Sequence, residues 1–144
     1  MGRFRKKARE IALRTLYTYD ILGDGDIFQI LEDHIKDVRK NLSSKTIEYA
    51  YSIVKGVEEH LDEIDELIKS HLKNWRLERL GYLERALLRI GTYELVFSNI
   101  EDKGRVFMDI LDLTDCYLNN KDTIKFINGV LSAIYNDTKE EVSK

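Results

Sequence analysis

The stretch "KKAREIALRTLYTYD", residues 6–20, decides the fold. Consecutive residues of a helix turn by about 100°. With Arg3 as zero, Arg14, Lys7, Tyr17 and Lys6 fall at roughly 20°, 40°, −40° and −60°, so all five share one face. Phe4, Ala8, Ile11, Ala12, Thr15 and Tyr19 fall between about 80° and 180°, which makes that side the buried one. Arg5 and Arg9 flank the buried stripe on its other edge. The two tyrosines therefore differ: Tyr19 turns to the core, and Tyr17 stands among cations.

Outward from this segment, apolar residues recur at three- and four-residue spacing almost throughout, and period-two strands are absent. The spacing predicts an all-α protein, a compact bundle of about seven helices. The first helix covers about Phe4 to Leu22 and stops at Gly23-Asp24-Gly25-Asp26. The second covers about Ile27 to Val38. The third begins at Ser43 or Ser44, one of which is its N-cap. Leu61, Ile64, Leu67, Ile68 and Leu72 continue its pattern, as an extension or as a separate helix after the weak point at Gly56 and Glu58. A turn at Leu77 to Leu80 leads to a helix from Tyr82 to Phe97. A loop at Asn99 to Gly104 precedes a helix from Val106 to Leu118. The last helix covers Thr123 to Tyr135, and the polar tail from Asn136 is expected to fray.

The 144 residues suit one domain spanning 1–144, with no proline and no Gly/Ser-rich linker to mark a boundary. Apolar residues are 43% and charged residues 34%, a globular composition. No apolar run approaches the roughly 20 residues of a membrane span, and no signal-peptide pattern follows the basic start. Cys116 is alone, which excludes a disulfide framework, fits a reducing cytoplasm, and predicts an inert core thiol. Charge is unevenly placed. Residues 1–14 carry Arg3, Arg5, Lys6, Lys7, Arg9 and Arg14 against Glu10, a net of +5, which leaves −8 for the rest of a chain whose net charge is −3. A basic arm on an acidic body points to an anionic partner.

A basic face with an aromatic in it suits single-stranded RNA, because cations neutralise phosphates and an exposed base stacks on the ring for about 1–3 kcal/mol. Cations at a helix N-terminus also oppose its dipole, at about 0.3–1 kcal/mol each, so a solvated helix end is the less economical explanation. Geometry alone leaves RNA and an acidic protein as alternatives. Chemistry for catalysis is missing. There is no Gly-rich phosphate loop, no GxSxG elbow and no Cys-x-x-Cys. His34, His60 and His71 fall in different segments, and none has a Glu three residues before it. His60 and Glu63 read as a surface ion pair. The carboxylates of "EEHLDEIDELIKSHL" interleave with a Leu/Ile stripe and read as a solvated face. No catalytic residue, metal site or cofactor is expected.

Two further stretches carry a resemblance. They are "RLERLGYLERALLRIGTYEL", residues 76–95, and "KFINGVLSAI", residues 125–134. In the first, Leu83, Leu87, Ile90 and Leu95 form a core stripe, and Gly91 marks a close helix contact, since a helical glycine costs about 1 kcal/mol against alanine. Glu84, Arg85 and Arg89 lie on or beside the other side. In the second, Ile127, Val130, Leu131 and Ile134 form the buried side, Gly129 again permits close packing, and Phe126 is either core or an exposed contact. With "KAREIALRTLYTYD" these stretches resemble the NusB family of bacterial transcription antitermination factors, in order and spacing, over essentially the whole chain.

The resemblance implies two small helical subdomains and no enzymatic activity. It implies binding to the boxA segment of ribosomal RNA leader transcripts as a single strand. The implied partner is the ribosomal protein that doubles as NusE, in a complex that lets RNA polymerase pass early terminators. The family's RNA contacts map onto Arg3, Arg5, Lys6, Lys7 and Arg9, and onto Asp122, Lys125 and Phe126. Helical geometry adds Arg14 and Tyr17. The partner-protein surface maps onto Tyr17, Glu78 and Glu84, with Arg85 beside them. Monomers and homodimers both occur in the family, and the dimer can cover the RNA surface. Asp109 and Asp112 stand where the family has acids, and Asp115 stands where lysine is common, which shifts weight to the N-terminal arm. Five phosphate contacts would give a log–log salt slope of roughly −3.5. The alternative is a helical protein-interaction module whose basic arm docks an acidic protein.

Overall fold

A computed structural model describes residues 3–38, 41–73 and 76–143. Among these the chain forms seven α-helices, a 3-10 turn and one π-helical segment. Helix α1 covers Arg3–Leu22, α2 Ile27–Asp37, α3 Ser44–Glu59, α4 Leu61–Ser70, α5 Tyr82–Thr92, α6 Lys103–Leu118 and α7 Lys121–Ser143. The 3-10 turn is Leu77–Arg79, and the π segment, Tyr93–Phe97, continues α5.

The helix ends have local causes. Gly23 and Gly25 take positive φ angles of 79° and 106° in the turn after α1, a conformation glycine adopts without strain. The Asp26 side chain accepts from the Phe28 amide and starts α2. Ser43 accepts from the Thr46 amide at 3.1 Å, which makes it the N-cap of α3. The break between α3 and α4 falls at His60, so residues 61–70 are a helix of their own. Asp102 caps α6 through the Arg105 amide at 3.0 Å and starts it three residues earlier than the apolar pattern suggests. Asn119, left-handed at φ 43°, ends α6.

Two corrections concern the C-terminal part. Helix α7 runs to Ser143 and does not fray from Asn136. Thr138 donates to the Ile134 carbonyl, and Asp137 pairs with His71 of the α4 end, so this polar stretch has partners. Cys116 is exposed, not a core thiol. The buried stripe of α6 runs through Val106, Asp109, Ile110, Leu113 and Thr114, and Cys116 falls outside its helical repeat.

Helix α1 packs on α2, α3 and α5, while α5 packs on α4, α6 and α7. The helices thus form two groups, α1–α3 and α4–α7, joined where α1 meets α5. One continuous core runs through both, including Ile11, Leu13, Ile53, Leu87, Ile110 and Leu131. Two glycines make the close approaches. The Tyr93 ring occupies the space a β-carbon on Gly56 would need, and Leu131 lies against Gly91. Gly129 has nothing within 4 Å of a β-carbon, so the close packing expected there is absent.

Candidate RNA and partner-protein interface

The buried arc of α1 is wider than the sequence suggests. Ala8, Arg9, Ile11, Ala12, Leu13, Thr15 and Leu16 are all buried, because α1 has neighbours on three sides. Arg9 is fully buried. Its Nε donates to Glu94 Oε1 at 2.6 Å, Nη2 to Glu94 Oε2 at 3.1 Å, and Nη1 to Asp109 Oδ2 at 2.6 Å. The Tyr49 hydroxyl donates to Glu94 as well. Burial opposes the Arg9 charge, but the Glu94 hydrogen bond and the surrounding acids more than offset it and raise its pKa. The Tyr49 hydroxyl is driven up first by burial and then by Glu94. Arg9 therefore joins α1 to the π segment and α6, and the expectation that it contacts RNA is corrected. A sequence signal existed. Arg9 precedes Leu13 by four residues and Leu16 by seven, the spacing of a buried stripe.

Arg5 is half-buried. Its guanidinium lies 5.2 Å from the Phe4 ring centre and 5.8 Å from that of Tyr49, and its Nε is buried without a hydrogen bond. The side chain of Arg3 lies outside the described residues.

Lys6, Lys7 and Arg14 are exposed, as expected. Lys6 pairs with Asp112 at 3.2 Å, Lys7 with Glu10 at 3.2 Å, and Arg14 donates to the Tyr117 hydroxyl at 3.0 Å. Tyr117 in turn donates to Glu10 at 2.8 Å. Burial raises the Glu10 pKa, but the bonds from Tyr117 and Lys7 prevail and lower it. Burial, and after it the Arg14 charge, lowers the pKa of His34. The basic face of α1 thus lies along α6. Tyr117 stands two residues before the left-handed Asn119 that turns the chain into α7.

At the start of α7, Asp122 and Lys125 are exposed and Phe126 is half-buried against the core edge. Asp122, Thr123 and Phe126 share a cleft of about 350 Å³ with Arg79, Leu80 and Glu84. Glu84, mapped to the partner-protein surface, faces this cleft. The other residues mapped there come together at the far end of α1. Tyr17 meets Tyr82 edge-on with ring centres 6.3 Å apart, and the Arg85 guanidinium sits 4.6 Å from the Tyr82 ring centre. Arg85 is held by Asp20 at 2.8 Å and reaches the Glu78 carbonyl. Arg89 completes this half-buried set through Asp20 and Asp65. Tyr82 and Ile21 remain exposed beside it. Sequence reasoning missed Tyr82 and Asp20 as members of the patch. The signal for Tyr82 is an aromatic one residue after Gly81, at the start of a helix whose apolar stripe begins at Leu83.

Among the described residues no group of three or more His, Cys, Asp and Glu is placed to hold a metal ion. Among the described residues no helix is long and apolar enough to cross a membrane. The arrangement is a set of charged and aromatic surfaces around a core, suited to binding large partners.

Comparison with known proteins agrees. The pattern of the NusB family matches residues 6–136, and the chain belongs to the NusB family. The transcription antitermination protein NusB of Persephonella marina is 69% identical over 140 residues, covering 97% of this chain and 98% of that protein. Its counterpart from Aquifex aeolicus is 44% identical, covering 92% of this chain and 88% of that protein. A crystal structure of NusB and NusE in complex with double-stranded RNA superposes with a TM-score of 0.87 at 39% identity, over 95% of this chain and 99% of that one. A solved structure of T. maritima NusB superposes with a TM-score of 0.85 at 29% identity, over 97% of each chain.

Proposed function

We propose that the protein is a transcription antitermination factor that binds boxA-type RNA of ribosomal RNA transcripts together with NusE. The observation that carries this is the similarity, over nearly the full length of both chains, to a protein held with NusE and RNA in one crystal structure. The surfaces of this chain suit both partners. Lys6, Lys7 and Arg14 on α1 and Lys125 on α7 offer phosphate contacts, Phe126 offers a stacking ring, and the exposed Asp122 carboxylate offers an acceptor for base amino groups. Tyr17, Tyr82 and Arg85 offer the aromatic and arginine side chains that dominate protein interfaces. In the cytoplasm the pair would join RNA polymerase and keep it elongating. A homodimer that covers the basic face would compete with RNA.

The test is equilibrium binding to a boxA RNA, to a scrambled RNA and to a boxA duplex, each with and without NusE. Preference for the single-stranded boxA sequence in the presence of NusE is the expected result. Contacts from Lys6, Lys7, Arg14 and Lys125 give a log–log salt slope of about −3. Equal affinity for boxA and scrambled RNA, with NusE present, would overturn the proposal.

A further inference from the structure

Phe126 stands between two clefts. On one side is the cleft of Arg79, Glu84, Asp122 and Thr123. On the other is a cleft of about 380 Å³ between the end of α4 and α7, lined by His71, Lys73, Lys125, Gly129 and Ala133. Each is larger than a single nucleobase, and the ring is common to both walls.

The second cleft has the chemistry of a nucleotide site. Among the described residues no carboxylate lines it, while Lys73 and Lys125 do. Among the described residues neither lysine is held in an ion pair, unlike Lys6 and Lys7. His71 is turned to Asp137 at 2.6 Å, so the charge free to meet a phosphate is that of the two lysines. Gly129 lies at the cleft wall. A helical glycine weakens a helix, and here it serves no packing, since a β-carbon would meet nothing within 4 Å. It borders the same cleft as Phe126, which is open space at this point.

We infer that this cleft is a second nucleotide subsite, in which an RNA base stacks on Phe126 above Gly129 while its phosphate lies between Lys73 and Lys125. The occupant is single-stranded RNA continuing past Phe126 from the Asp122 side. A duplex would not present an unstacked base to the ring. The inference rests on the RNA-binding function proposed above and adds the strand's path and a site for one more base.

The experiment titrates boxA RNAs lengthened one nucleotide at a time, at either end, against wild-type protein, Gly129→Met and Lys73→Ser, with NusE present. In the wild type, affinity rises about tenfold at the length that reaches the cleft, as a stacked base provides. Gly129→Met fills the cleft without touching the core, and the step disappears while the shortest RNA binds as before. Lys73→Ser lowers the salt slope on the long RNA by about 0.7. The thermal midpoint of each variant verifies that it is folded. If wild-type protein binds but Gly129→Met shows the same step and Lys73→Ser the same slope, the subsite is overturned and the RNA-binding function stands. If wild-type protein binds no boxA RNA, both fall.

Discussion

Leu131 of α7 packs against the backbone of Gly91 in α5 so closely that a β-carbon on Gly91 would stand 2.7 Å from its Cδ1 and 2.9 Å from its Cδ2. Leu131 is fully buried and cannot swing away. Gly91→Ala therefore costs about 1–3 kcal/mol through overpacking, despite alanine's better helix propensity. Gly129→Ala, in open space on α7, stabilises by about 0.5–1 kcal/mol. Urea denaturation of both variants measures the difference, and a shift of the same sign in both would contradict this packing.

Arg9→Ala leaves Glu94 and Asp109 facing each other without their cation. Breaking a buried pair in this way costs about 3–5 kcal/mol. Lys6→Ala, at an exposed pair, stays within about 0.5 kcal/mol. Denaturation curves distinguish them. An Arg9→Ala protein of wild-type stability with weakened RNA binding would mean that Arg9 reaches the surface.

The His71 ring meets two acceptors, the Leu67 carbonyl at Nδ1 and Asp137 at Nε2, so both nitrogens donate and the charged form is favoured. Burial works the other way but is outweighed, and the pKa rises from 6.5. A raised histidine pKa stabilises fully below the unfolded value and loses that effect as pH climbs through the folded value. Asp137 is largely exposed, so the contribution is below about 1 kcal/mol. Asp137→Asn is expected to lower the melting temperature near pH 5.5 and to leave it unchanged near about pH 9. An equal loss at both would show that the contact is not ionic.

Tyr17→Ala and Tyr82→Ala remove the two rings of the patch at the end of α1. Each is expected to weaken NusE binding by about tenfold or more, as interface aromatics do, while RNA binding without NusE is unchanged. Calorimetric titration with NusE, and separately with RNA, measures both. Weaker RNA binding by Tyr17→Ala in the absence of NusE would assign that ring to RNA instead.

Most of the fold was legible because helix periodicity and caps are local. A serine N-cap at Ser43 or Ser44, which the structure places at Ser43, and the turn at Gly23 to Asp26 follow from neighbours within a few residues. What escaped the sequence depends on distant parts of the chain. Gly129 reads like Gly91, yet one meets Leu131 and the other meets nothing. Cys116 reads as a small core residue until α6 is seen to bury another side. Arg9 looked like part of a basic arm, because its partners Glu94 and Asp109 lie 85 and 100 residues away. At the interface, a charge count located the basic face but could not show which cations are already engaged by carboxylates.

The buried Arg9 network also acts as an index mark. A helix held only by leucine and isoleucine can slide one turn along its neighbours and find similar contacts. Sliding α1 by one turn would bring Leu13 or Arg5 opposite Glu94 and Asp109. Leucine there strands two carboxylates, and moving Arg5 in carries Tyr17 one turn away from Tyr82. A single charged residue thus fixes where on the bundle both the basic face and the tyrosine pair are presented.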